Sequence, residues 1–242
     1  TALLALLCAQ AVRVTSSRWI AAGVVLLILA LTRETALVFV LLTLVWLLLR
    51  PGEPWRTIFA WSGLFLAGIA MVLLPVALRN VSVAGELHLT TSQLGTNFYI
   101  GNHPGADGSY KPLSFGRGDA RRERDDATHL AERTVGRELR PGEVSRFWLG
   151  QALEYVRDNP GNWLRLMSRK LALTVNATEL ADTESQEVFA EWSGLLRRLR
   201  FFHFGVLFPA AVFGAVLTAR SWRRLWFLYL FVAGYAGSVT LF

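Results

Sequence analysis

Residues 19–49 read WIAAGVVLLILALTRETALVFVLLTLVWLLL, and how this run divides decides the fold. It is apolar except for Thr32-Arg33-Glu34-Thr35. As one helix, about 31 residues would extend roughly 46 Å, well beyond the ~30 Å of a hydrocarbon core, and would demand a steep tilt. As two helices hinged at the charged tetrapeptide, each would hold only about 14 residues, too few to reach both faces of a bilayer. The hinge would then be recessed in a cavity lined by protein, because lipid does not tolerate exposed irregular backbone.

Other blocks extend the pattern outward. The chain is 53% hydrophobic with mean hydropathy +0.37, whereas a soluble domain is roughly 45–50% apolar. The excess is concentrated in runs, as in membrane spans. Residues 1–12 read as the tail of a span. Arg50-Pro51-Gly52-Glu53-Pro54 is a stop, and 57–78 is a full span closed by Arg79-Asn80. Residues 201–219 form another span. Arg220-Ser221-Trp222-Arg223-Arg224 is a basic turn, and 225–242 begins a further span. Neither end reads as a natural terminus, so a piece of a longer protein is expected. The lone Cys8 gives no disulfide framework, and no Cys/His spacing points to a metal.

The formal charge is +7, and 23 of the 25 basic residues are arginine. Arginine beside spans marks cytoplasmic turns. This places the turns at 13–18, 50–56 and 220–224 inside, and segment 80–200 outside. The hinged reading of 19–49 then puts Thr32–35 outside as well, with the fewest exceptions to the charge rule. No nucleic-acid module is recognisable. The expected class is therefore mainly α: a polytopic transmembrane helical protein with three regions. Residues 1–79 are transmembrane helices with a recessed hinge at 32–35, residues 80–200 are an external α-rich segment containing little β, and residues 201–242 are transmembrane helices.

Within the external segment, Glu86-Leu87-His88-Leu89-Thr90 alternates like a strand. The stretch from Gly101 through Asn102, His103, Pro104 and Gly105 to Gly108 is a loop by its turn residues. Residues 117–140 are charge-dense, a solvated helix or a loop. Arg140-Pro141-Gly142-Glu143 opens a helix with proline in the first turn; Val144, Phe147, Trp148, Ala152, Tyr155 and Val156 line one side. Asn159-Pro160 starts a second helix, running to about Asn176, with Trp163, Leu164, Met167 and Leu171 set among Arg165, Arg169 and Lys170. Amphipathic helices rich in Trp and Arg lie in membrane interfaces or cover a protein core.

Arg33 and Glu34 are the first candidate site: a charge pair at membrane depth is costly and implies function. Arg33 suits a phosphate, which guanidinium binds in bidentate fashion; Glu34 would orient Arg33 or contact a sugar hydroxyl. Asn97, Tyr99 and Asn102 place amide and aromatic groups beside a glycine-rich loop, a combination that suits hydroxyl-rich ligands. The bland alternative is a loop that caps the core. His103 is a potential base. Asn176, Glu179, Asp182 and Glu184 form a polar cluster without decisible geometry. Asn80-Val81-Ser82 and Asn176-Ala177-Thr178 are formal glycosylation triplets that carry no weight.

Four of these stretches resemble a known family. Leu31-Thr32-Arg33-Glu34-Thr35-Ala36-Leu37 is similar to the Leu-Thr-Arg/Lys signature between two short helices of bacterial dolichyl-phosphate-mannose-protein mannosyltransferase-like enzymes. Asn97-Phe98-Tyr99-Ile100-Gly101-Asn102-His103-Pro104-Gly105 resembles their Asn-aromatic-Tyr-Ile-Gly-Asn-x-Pro-Gly loop. Asn159 to Leu166, followed by Arg169-Lys170-Leu171, resembles their juxtamembrane helix, and Asn176 to Glu184 the stretch after it. The resemblance covers about 19–200, with Arg33 where many relatives have lysine and Glu34 where they often have glycine or proline. It implies a GT-C, inverting glycosyltransferase of the bacterial inner membrane. The donor is a polyprenyl-phosphate-linked sugar, and no other cofactor is expected. The acceptor is a protein, lipid or glycan on the outer, periplasmic face. The family's catalytic carboxylate lies in a first external loop, upstream of these residues. Two other readings stay open: a transporter or flippase of a lipid-linked anion, which an internal repeat would support although none is visible, and a non-enzymatic membrane scaffold.

Overall fold

The computed structural model describes residues 16–84, 92–113, 120–176, 186–199 and 203–242. They are mainly helical, with no strand among them. The strand-like 86–90 and the carboxylates Glu179, Asp182 and Glu184 lie outside the described residues. Two compact units are present: Thr1–Ser92 with Phe227–Ser238, and Gln93–Trp226 with Val239–Phe242.

In the first unit the long apolar run is broken. Helix α1 covers Ser16–Thr32, a single 3-10 turn covers Glu34–Ala36, and helix α2 covers Leu37–Leu48. The two helices fold back as a hairpin, because Trp19 near the start of α1 meets Trp46 near the end of α2, with ring centroids 6.2 Å apart. The run is therefore two helices broken at 33–36, not one continuous helix. The turn that follows uses Gly52 at φ 86°, a conformation open to glycine at no steric cost. Pro54 then opens α3, Trp55–Ala84, by accepting from the Thr57 N–H at 2.9 Å.

Helix α3 runs alongside α1 in the same direction: Trp19 stacks on Trp61 at 5.8 Å, while Gly23 lies against the backbone of Phe65 and Ile69. A Cβ on Gly23 would collide with the Phe65 carbonyl oxygen, and one on Gly68 with the carbonyl of Ile20. Small residues permit this backbone-to-backbone approach. The expected stop at Arg79-Asn80 is not one; α3 continues through both to Ala84. Arginine is a good helix former and asparagine an ordinary one, so neither ends a helix by itself. Pro75 also lies inside α3 without terminating it. The last helix, α11 (Trp222–Leu241), contributes Phe227, tilted against Trp46 at 4.8 Å, and Phe231 and Tyr235, both stacked on Phe39.

The second unit holds α4 (Leu94–Gly101), α5 (Ala120–Val135), α6 (Pro141–Asp158), α7 (Pro160–Thr174), α8 (Gln186–Trp192), α9 (Gly194–Leu199) and α10 (Phe204–Leu217). Its core gathers Ala127, Ala131, Val144 and Trp148, with Tyr99, Leu130 and Phe147 packed against it. Trp148 Nε1–H donates to the Ala127 carbonyl at 3.1 Å, so the large ring is buried with its polar atom satisfied. Helix α6 opens at Arg140-Pro141 as expected: Glu143 accepts from the Arg140 N–H at 2.9 Å and from both arms of the Arg137 guanidinium. The charge-dense stretch resolves into α5. Two expectations change here. Residues 97–101 belong to helix α4, not a loop, because Thr96, Phe98 and Ile100 bury while Gly95 lies against Ser145 of α6. Residues 201–219 give only the 14-residue α10, roughly 21 Å and short of a ~30 Å hydrocarbon core.

Among the described residues, two helical stretches are long and apolar enough to cross a membrane, Trp55–Val83 and Ala219–Leu241.

Candidate functional site

The first candidate site is the break between α1 and α2. The Arg33 N–H still donates to Leu29 O at 2.9 Å, and the Arg33 carbonyl accepts from the Ala36 N–H at 2.9 Å, so the backbone turns within one tight loop. Thr32 Oγ1 also donates to Leu29 O at 2.7 Å, so that carbonyl accepts two bonds at the last turn of α1. The Arg33 side chain is exposed. Thr35 Oγ1 is buried without a hydrogen-bond partner. The Glu34 side chain lies outside the described residues, so its expected pairing with Arg33 does too.

At the far end of the hairpin, sequence reading had singled out no site, yet a cation is caged there. The Arg50 guanidinium lies over the rings of Trp46 and Trp61 at 5.3 and 5.2 Å. Trp19, fully buried, completes the aromatic cluster. Cation–π attraction of this kind is worth about 0.5–2 kcal/mol, more as water is excluded. The signal was legible as Trp at 19, 46 and 61, but only the hairpin brings the three together.

The second candidate site is the α4 end and the loop after it. Asn97 is exposed. Tyr99 is half-buried between His103, stacked at 5.5 Å, and Trp148 at 4.6 Å; burial raises its phenol pKa above the ordinary value. Asn102 is 0% exposed. Its Nδ2 donates to Phe98 O at 2.9 Å and to Leu241 O at 2.8 Å, and its Oδ1 accepts from Trp163 Nε1–H at 2.9 Å. Both its amide hydrogens and its carbonyl thus join α4, α7 and residue 241.

His103 is also occupied. Its Nδ1 accepts from the Gly105 N–H at 2.9 Å, which leaves the proton of the neutral ring on Nε2. Burial, then the neighbouring Lys111, lower its pKa, with Asp107 opposing. The ring is a neutral hydrogen-bond donor, and a role as general base would first require loss of the Gly105 contact. The loop beyond is closed by Lys111 paired to Asp107 at 2.8 Å and by Ser109 Oγ donating to Asp107 at 2.6 Å. These contacts, Lys111 first, hold the Asp107 carboxyl well below its usual range.

Lys170 of α7 is the residue that sequence reading passed over. It was counted among the charges between apolar positions, yet it is only 7% exposed. Trp163, Leu166, Met167, Lys170, Leu173 and Thr174 form the less exposed side of α7, recurring at the three- and four-residue spacing of one helical face. That periodicity was the available signal. Burial lowers the Lys170 pKa to about 8.

No protein-family model, curated protein or solved structure matches this chain.

Proposed function

We propose that the chain belongs to a polytopic membrane glycosyltransferase of the GT-C type that uses a polyprenyl-phosphate-linked sugar on the outer face of a bacterial inner membrane. The observation that carries this reading is the break at 33–36: two short apolar helices fold back on each other and present Arg33 at the turn. A guanidinium at such a turn can hold a lipid phosphate and stabilise its growing negative charge as the glycosidic bond breaks.

Membrane placement is supported by the outer surface of α3, where Phe59, Met71, Leu74, Leu78 and Val83 are largely exposed. In water, each such side chain forgoes roughly 1.5–3 kcal/mol of burial, whereas in lipid it forgoes nothing. This reading assigns the turn at 50–56 to the cytoplasmic face and the Arg33 turn to the opposite face, the arrangement with the fewest exceptions to the positive-inside rule. In this reading residues 80–200 are the external segment.

The test uses the full-length protein in detergent with a polyprenyl-phospho-sugar, following release of polyprenyl phosphate. Arg33→Ala is expected to lower turnover at least about a hundredfold, the scale of a lost charge-stabilising contact, with Arg33→Lys retaining part of it. Turnover unchanged in Arg33→Ala removes Arg33 from the site and this reading with it.

A further inference from the structure

The loop singled out as Gly101 to Gly108 frames a second feature, independent of the hinge. Lys170 Nζ is buried and has no hydrogen-bond partner among the described residues. It borders a cavity of about 310 Å³ that is also lined by Ile100, Ser109, Leu173, Thr174 and Phe242. A water molecule occupies about 30 Å³ of liquid, so the space is far larger than solvation of one amine requires.

The surroundings are shaped around this lysine. Gly108, at φ 91°, lies where a Cβ would press on Leu173 Cδ1 and on Lys170 Cγ, whereas a Cβ on Gly101 would collide first with the Phe242 carbonyl oxygen and only then approach Lys170 Nζ, at 3.0 Å. Gly108 thus makes room for the lysine stem, and Gly101 for the Phe242 backbone beside the ammonium. The nearest acid of the loop, Asp107, is committed to Lys111 and Ser109. The Thr174 hydroxyl donates to the Lys170 carbonyl at 2.9 Å, so its oxygen lone pairs and the Ser109 hydroxyl face a ligand only as weak partners. The dominant unmatched group is a single cation, and burying an unpaired charge is costly.

We infer that this cavity is a binding site for an oxyanion, a phosphate group carried by a small ester or by a lipid, with Lys170 as its counter-ion. A phosphate would take up the three free N–H donors, and the remaining volume, mostly apolar, would hold the body that carries it. The inference does not depend on the glycosyltransferase reading; either can fail while the other stands.

The chain has only two lysines, Lys111 and Lys170, which makes amine acylation followed by mass spectrometry a site-resolved probe. The full chain in phosphatidylcholine nanodiscs would be labelled at pH 8 with inorganic phosphate, with glucose 1-phosphate, or with phosphatidic acid added to the disc. Bound phosphate that raises the Lys170 pKa from about 8 to about 9 lowers its reactive fraction about fivefold at that pH. The expected result is a drop of that size at Lys170, with Lys111 unchanged. Protection by glucose 1-phosphate assigns a soluble ester, and protection by phosphatidic acid alone assigns a lipid. Lys170→Met, shown by thermal unfolding to be folded, is expected to lose phosphate binding in titration calorimetry. No protection from any of the three, equal protection of both lysines, or undiminished binding by Lys170→Met would overturn the assignment.

Discussion

Asn102 offers the sharpest test of how the second unit is held together. Asn102→Leu keeps the size of the side chain and removes three hydrogen bonds at once. The Trp163 Nε1–H loses its acceptor, and the carbonyls of Phe98 and Leu241 lose a donor. A buried polar group left unsatisfied costs about 1–3 kcal/mol. With part of that recovered by relaxation, the variant should lose about 3–5 kcal/mol. Asn102→Asp keeps the acceptor for Trp163 but faces two carbonyl oxygens with a carboxylate. Burial should raise its pKa, so the folded state binds the extra proton, and the variant should gain stability as pH falls from 7 toward 5. Trp163→Phe removes one donor and should cost about 1–2 kcal/mol. The double variant Asn102→Leu with Trp163→Phe should then cost less than the two single changes added, because they break a shared bond. Equilibrium unfolding in mixed micelles, followed by tryptophan fluorescence and circular dichroism, measures all four. An Asn102→Leu variant within about 0.5 kcal/mol of the parent, the range of an ordinary surface change, would refute the reasoning.

Two further outcomes follow from charge. Lys170 has a folded pKa of about 8 against an ordinary 10.5, so the unfolded chain binds more protons between these values and stability should rise as pH goes from about 8 to 10.5, by up to about 3 kcal/mol. Thermal unfolding of Lys170→Met should be flat across this window and higher than the parent at pH 7; a parent that is equally flat contradicts the burial argument. Glu143 has its pKa lowered to about 2 from 4.5 by Arg137 first and then the Arg140 N–H. Its contribution should be present above pH 4.5 and fade as pH falls through about 2, and Glu143→Gln should abolish that dependence, measured by helix content of the α6 region under acid titration. Arg137→Gln giving no change in the acid limb would show the pair to be inert.

Much of the candidate site depended on how the chain turns rather than on what it contains. At Thr32 to Thr35 the four polar residues are unmistakable, and the break occurs where they stand: α1 ends at Thr32 and the 3-10 turn begins at Glu34. At Asn97 to Asn102 the reading went the other way. Amides and aromatics beside glycines look like a ligand loop, yet Phe98 and Ile100 bury and draw the stretch into α4, and Asn102 is consumed by partners at positions 163 and 241. Arg79-Asn80 looks like a boundary because charge ends a hydropathy window, while the backbone is indifferent to it.

The polar break at 32–35, the proline-started α6 and α7, and the apolar face of α6 were legible in the sequence alone, since each is a matter of local periodicity, turn chemistry or capping within a few residues. Which polar atoms are spent and which are free was decided only by tertiary structure. Asn102 and Lys170 are both polar residues among apolar neighbours; one meets three partners and the other none. That difference arises from residues distant along the chain, whose meeting no local pattern records.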